Sequence, residues 1–173
     1  MKPPKFLKSV ISLTFYVLFL KLIATGFTFI IFLFGSSSRL SSLDYINIVA
    51  SDRSREAATA LFSLEMVYTV IIFYAVYIIR KIIKDLEKDR LYTNLQISGL
   101  SLSGKLIIGV VFLQVIAEFI TIIVFDNKLE VSVSFENDLG NPFLVITIGL
   151  FLIYLGKIFE NSARLKTENE LTV

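Results

Sequence analysis

Apolar residues in this chain gather in four unbroken blocks, at residues 9–34, 57–79, 106–125 and 142–159. A helix needs about 20 residues to cross about 30 Å of hydrocarbon, and all four blocks meet that length, the last only just. None holds the clusters of turn residues that would break a helix. The blocks are rich in Ile, Val and Phe, which favour strands in water. In lipid only a helix satisfies every backbone group within one segment, so four membrane-spanning helices are predicted. The basic start, Met-Lys-Pro-Pro-Lys, is like the head of a secretory signal. The first block far exceeds the about 7–15 residues of a signal core, and no small-x-small site follows Phe34, so it reads as a retained helix.

The polar connections differ in kind. Residues 80–90 continue a helical pattern, with Ile79, Ile82, Ile83 and Leu86 three or four apart. The second span therefore projects beyond the membrane. Thr93 and Gln96 then fit a capping box, in which the hydroxyl caps one backbone N–H and the amide returns to another. A new helix starting there runs through Lys105 into the third span, giving a helical hairpin over residues 80–105. Two roles suit that hairpin: a solvated lead-in carrying charge, or a docking surface for a partner.

The connection over residues 35–56 begins Ser-rich but continues with Leu40, Leu43, Tyr45, Ile46 and Ile48, which fits a segment lying on the membrane surface or capping the bundle. The connection over 126–141 alternates Val131-Ser132-Val133-Ser134-Phe135, the pattern of a short strand. Its acids, Asp126, Glu130, Glu136 and Asp138, lack the spacing of a calcium loop. Asn141-Pro142 opens the fourth helix as cap and first-turn proline. No internal repeat or low-complexity tract emerges.

Composition agrees with a membrane chain. Over 173 residues, 55% are hydrophobic and 18% charged, against about 25% charged in soluble domains; mean hydropathy is +0.75. Only Lys21, Glu65, Glu118 and Lys157 carry charge within the four blocks. Cys and His are absent. That removes disulfides, thiolate chemistry, a Ser-His pair and the usual zinc sites. A net charge of +2 does not support direct nucleic-acid binding. No catalytic residue, cofactor site or metal site is expected.

Lys and Arg set the orientation. Lys2, Lys5 and Lys8 lie at the first end, Arg80, Lys81, Lys84, Lys88, Arg90 and Lys105 in the middle connection, and Lys157, Arg164 and Lys166 at the last. The other two connections hold Arg39, Arg53, Arg55 and Lys128. The positive-inside rule then puts both termini and the 80–105 hairpin in the cytoplasm.

Charges within spans are costly unless paired or hydrated, and so are candidate functional groups. Thr14, Lys21, Thr25 and Thr28 share one face of the first span; Glu65, Tyr68 and Thr69 share one of the second; Gln114, Glu118 and Thr121 share one of the third. Glu65 and Glu118 each lie about 10–12 Å from the outer end of their spans, and the long stem of Lys21 can reach outward. An intramembrane cluster of Lys21, Glu65, Tyr68, Gln114 and Glu118 is therefore expected. It can fix helix order and register, or relay protons or cations. Gly149 and Gly156, seven apart, form a groove for another helix.

The chain ends FLIYLGKIFENSARLKTENELTV, an apolar span running into a charged helical tail over 160–173 and closing on Glu168, Asn169, Glu170, Leu171, Thr172 and Val173. This ending resembles that of the bacterial membrane-protein family catalogued as domain of unknown function 2975, whose members have four spans and commonly finish with a run such as "ENELTV" or "DLTV". The family's charged helix, Gly-x-x-Phe-Thr-like turn and second helix also resemble the hairpin here. The turn reads Asp89-Arg90-Leu91-Tyr92-Thr93, with the family's Gly and Phe positions occupied differently. The resemblance extends over essentially the whole chain.

The resemblance implies a cytoplasmic partner, because such proteins are often encoded beside a small helix-turn-helix regulator and are thought to tether or antagonise it. It carries over no catalytic residues. The expected chain is thus all-α, a single polytopic domain in the bacterial cytoplasmic membrane, and not an enzyme. Its partner surface would comprise Arg80, Lys81, Lys84, Lys88 and Arg90 of the hairpin with Glu168–Val173 of the tail. Two rival roles stand beside regulator control: an accessory subunit of a larger membrane complex, and a small transporter or ion relay using Lys21, Glu65 and Glu118.

Overall fold

The computed structural model describes residues 4–34, 55–86, 92–121 and 141–171. They form four helices: α1 (Lys5–Phe34), α2 (Arg55–Leu86), α3 (Asn94–Thr121) and α4 (Pro142–Leu171). All four are long and apolar enough to cross a membrane, and no strand occurs among the described residues. The protein is an all-helical, four-span membrane protein. The Ser-rich 35–54 connection and the strand expected at Val131–Phe135 lie outside the described residues.

Three helices outrun their apolar blocks by two turns or more, and α1 by one. α2 continues past Ile79 to Leu86, and α3 begins at Asn94, well before Leu106, as the hairpin pattern predicts. α4 has 30 residues, about 45 Å at 1.5 Å per residue. That exceeds the hydrocarbon thickness by about 15 Å, so its charged last turns extend beyond the hydrocarbon core. α4 starts as expected from Asn141-Pro142. The Asn141 side-chain oxygen accepts the Phe143 N–H at 3.0 Å, and its carbonyl accepts Leu144 N–H at 3.0 Å.

Successive helices pack antiparallel, α1 on α2, α2 on α3 and α3 on α4. The start of α1, the α2–α3 junction and the end of α4 therefore share one end of the molecule. α3 is the central helix. Ala75, Ile78, Ile82 and Ile83 of α2 and Leu100, Ile107, Val110 and Val111 of α3 are buried, and Ile78, Ile82 and Leu100 pack together. Toward the junction, Leu152, Leu155 and Phe159 of α4 close over Ile78, Ile82 and Leu100.

α3 and α4 meet backbone to backbone. A Cβ on Gly104 would run into the carbonyl oxygen of Gly149 and lie 2.8 Å from Ile153 Cγ1. A Cβ on Gly149 would lie 2.6 Å from Ile108 Cγ1, and one on Gly156 would lie 3.1 Å from the Ile97 carbonyl oxygen. The groove expected at Gly149 and Gly156 is filled by α3. Small residues permit this approach, which is how helices associate where lipid removes the hydrophobic drive between them.

α1 behaves differently. It touches the rest mainly through α2, by Phe15 and Phe19 on Phe73 at ring-centroid distances of 4.9 and 6.1 Å. Its remaining large side chains, among them Leu13, Leu20, Phe27 and Ile30, face outward, as a lipid-facing helix requires.

Candidate functional site

The most organised polar site closes the α2–α3 junction. Asp85 stands on the last turn of α2. Its Oδ2 accepts the Thr93 hydroxyl at 2.7 Å and the Gln96 side-chain amide at 3.1 Å. The Thr93 hydroxyl oxygen in turn accepts the Gln96 backbone N–H at 3.3 Å. Gln96 is 0% exposed, and its Oε1 accepts the Tyr92 backbone N–H at 2.9 Å. The expected capping box thus forms, with the return bond displaced one residue toward the turn, from Thr93 to Tyr92. Tyr92 carries the turn in the left-handed region at φ 61°. A non-Gly residue there costs of order 1 kcal/mol, and the Gln96 bond to its N–H offsets part of that. Burial of the Gln96 amide is tolerated because both of its ends are satisfied. The cap was legible in the sequence. Asp85, which turns it into a latch between helices, was not.

The latch also positions α4. The Tyr92 ring meets the Phe159 ring edge to face at 5.7 Å and 79°. Beyond this contact, an open groove of about 630 Å³ is lined by Tyr92, Ser162, Leu165, Lys166, Asn169 and Glu170. Leu165 is 56% exposed and Leu171 82%, on a stretch of helix otherwise dominated by charge. Arg164 pairs with Glu168 at 3.7 Å and Lys166 with Glu170 at 3.8 Å. Exposed pairs of this kind contribute only about 0.3–0.5 kcal/mol each.

The predicted partner-surface residues separate into groups. Asn169 and Glu170 line the groove, and Glu168 and Leu171 lie exposed beside it. Lys81 and Lys84 are exposed on α2. Lys88, Arg90, Thr172 and Val173 lie outside the described residues. Arg80 is placed elsewhere: its guanidinium lies 4.4 Å from the Phe15 ring centroid and 5.3 Å from that of Tyr16. Its Nη2 reaches the Tyr16 hydroxyl at 3.5 Å. Arg80 clamps α1 to α2, a role the charge count did not anticipate.

The intramembrane residues lie along the α1–α2 and α2–α3 contacts. Phe15 on Phe73 and Gly26 beside Met66 Cε bracket Lys21 on α1 and run it alongside residues 65–73 of α2. Ser103, whose hydroxyl donates to the Ala75 carbonyl, and Gly99 against Ile78 set the α2–α3 register. It brings the buried Gln114 level with Glu65 and leaves Glu118 about one turn farther from the α2–α3 junction. Lys21, Glu65 and Tyr68 are half-buried, and each engages a partner. Thr69 is 1% exposed, and its hydroxyl has no hydrogen-bond partner among the described residues. On α1 the hydroxyls of Thr14, Thr25 and Thr28 donate to the carbonyls of Val10, Lys21 and Ala24. The α1 stripe is therefore largely satisfied within its own helix.

A family sequence model, described as Protein of unknown function (DUF2975), matches residues 48–173. The chain belongs to the DUF2975 family. The matched span takes in α2, α3 and α4, and with them the Asp85 latch, the glycine crossing and the groove. It leaves out α1, so the likeness to DUF2975 is narrower than the whole-chain resemblance read from the sequence. No curated protein and no solved structure matches the chain.

Proposed function

We propose that this protein is a non-enzymatic member of the bacterial cytoplasmic membrane, with both termini and the α2–α3 junction in the cytoplasm. In this reading it holds a small helix-turn-helix transcription regulator at the membrane and so controls it. One observation carries the reading: the junction and the protruding end of α4 are joined through Tyr92 and Phe159 into a single surface. That surface has an open groove with Leu165 on its edge. A span that needed only to cross the bilayer would not require this extension. Exposed leucines among charges, beside a groove, are the feature a partner helix recognises. The regulator as partner follows from the family resemblance, and the cytoplasmic placement from the excess of Lys and Arg at this end.

The test is expression of the genes neighbouring this one, in cells carrying Leu165→Arg or a deletion of residues 163–173. Expression should change while the amount of protein in the membrane does not. Unchanged expression with normal membrane abundance contradicts the proposal.

A further inference from the structure

A second groove lies on the side of the α2–α3 pair, where the two spans pass into the 80–105 hairpin. Tyr74, Tyr77, Ile78 and Lys81 of α2 form one wall, and Leu95, Ser98, Gly99 and Leu102 of α3 form the other. Its volume is about 240 Å³. The floor is apolar because Gly99 brings the helices close: a Cβ there would meet Ile82 Cδ1 at 3.0 Å and Ile78 Cγ2 at 3.1 Å. The rim is polar. Tyr74 and Tyr77 stack at 6.4 Å and 19°, and both are about half-exposed. No carboxylate lines the groove.

Two lysines bracket it. Lys81 lines its upper end, toward the junction. Ser98, Leu102 and Lys105, four and three apart, share one face of α3, and Lys105 is exposed, at about the level of Phe73 and Tyr74 in the α2–α3 register. Side chains on a helix lean toward its N-terminus. On the antiparallel pair, Lys81 leans down from α2 and Lys105 leans up from α3, so their stems converge along the groove. Lys105 starts about 13 Å from the Gln96 level, and its stem can carry the ammonium part of the way toward the junction.

From these features we infer that the groove binds an anionic phospholipid of the surrounding bilayer. An acyl chain lies on Ile78, Leu95, Gly99 and Leu102. The headgroup phosphate is held by Lys81 and Lys105, with the Tyr77 and Ser98 hydroxyls at the rim. A zwitterionic lipid would fit the floor and bring a phosphate, but the cation of its own headgroup offsets that charge and leaves the two lysines only partly neutralised, which lipid makes expensive. Basic pockets between spanning helices are where anionic headgroups bind. This site is separate from the α4 groove and does not depend on what docks there.

The test uses the full chain purified in mild detergent and returned to nanodiscs holding equal phosphatidylglycerol and phosphatidylcholine. Lipid retained on the released protein is read by native mass spectrometry. The expected result is phosphatidylglycerol retained over phosphatidylcholine by about fivefold or more. That preference should vanish in the double variant Lys81→Gln/Lys105→Gln and persist in Lys84→Gln/Lys157→Gln, which removes the same charge outside the groove. Ser98→Leu, which fills the groove without changing charge, should lower retention of both lipids, and it carries the test if the double variant does not fold. Equal retention of the two lipids by the unaltered chain would overturn the inference. So would an equal loss in Lys84→Gln/Lys157→Gln, or full retention in Ser98→Leu.

Discussion

The Asp85 carboxylate accepts the Thr93 hydroxyl at 2.7 Å across the α2–α3 junction. This bond ties the last turn of one helix to the capping residue of the next. It also satisfies the fully buried Gln96 amide through the same oxygen. Asp85→Ala removes both bonds and leaves a buried amide without its acceptor. A loss of about 2–3 kcal/mol is expected, read by unfolding in mixed detergent micelles followed by far-ultraviolet circular dichroism. Asp85→Asn keeps an acceptor oxygen and should lose less. Equal stability of Asp85→Ala and the unaltered chain would remove the latch from the account.

The glycine crossing makes a graded prediction. Gly104→Ala forces a methyl against the Gly149 carbonyl, whereas Gly109 has nothing within 4 Å of its Cβ position. In the same unfolding assay, Gly104→Ala is expected to cost about 1–3 kcal/mol. Gly109→Ala should be neutral or mildly stabilising, because alanine is the better helix former. Similar effects at the two positions would contradict the close α3–α4 contact.

A covalent version of that contact is available because the chain has no cysteine. A Cβ on Gly156 would lie 3.5 Å from the Ser101 Cβ, at the short end of disulfide geometry. The double variant Ser101→Cys/Gly156→Cys should oxidise to an intramolecular bond. Cleavage between α3 and α4 should then leave the fragments joined until reductant is added. Fragments that separate without reductant would show a different register.

α1 is held to α2 by rings and one cation. Arg80→Ala removes the guanidinium from the faces of Phe15 and Tyr16, expected to cost about 1–2 kcal/mol at this partly desolvated position. The loss should appear as freer reactivity of a cysteine placed at Gly26, which faces Met66 in the native packing. Arg80→Lys should recover only part of it, since an ammonium does not stack as a planar guanidinium does. Unchanged reactivity in Arg80→Ala would contradict the clamp.

These features were unequally legible in the sequence. The helices were plain because four apolar blocks of spanning length leave no alternative in lipid. The helical run past Ile79, the Thr93 cap and the Asn141-Pro142 start were plain because each is a local pattern, made by residues within a few positions of one another. Asp85 looked like one acid among lysines, since its partners lie across the junction. Arg80 counted as a surface charge because its ring partners are on α1, far away in sequence. The polar stripes of the spans were visible, but not their relative depth. Only interhelical contacts set that depth, and those between α2 and α3 bring Gln114 to the Glu65 level.

The central claim is that the surface joining Tyr92, Phe159 and the end of α4 holds a transcription regulator. A photo-crosslinking residue at position 165, activated in intact cells and followed by mass spectrometry of the adduct, tests it most directly. The account predicts an adduct with a small soluble protein bearing a helix-turn-helix, absent when the probe is moved to the outward-facing position 150 on α4. No adduct above the position 150 background, or an adduct only with another integral membrane protein, would contradict it.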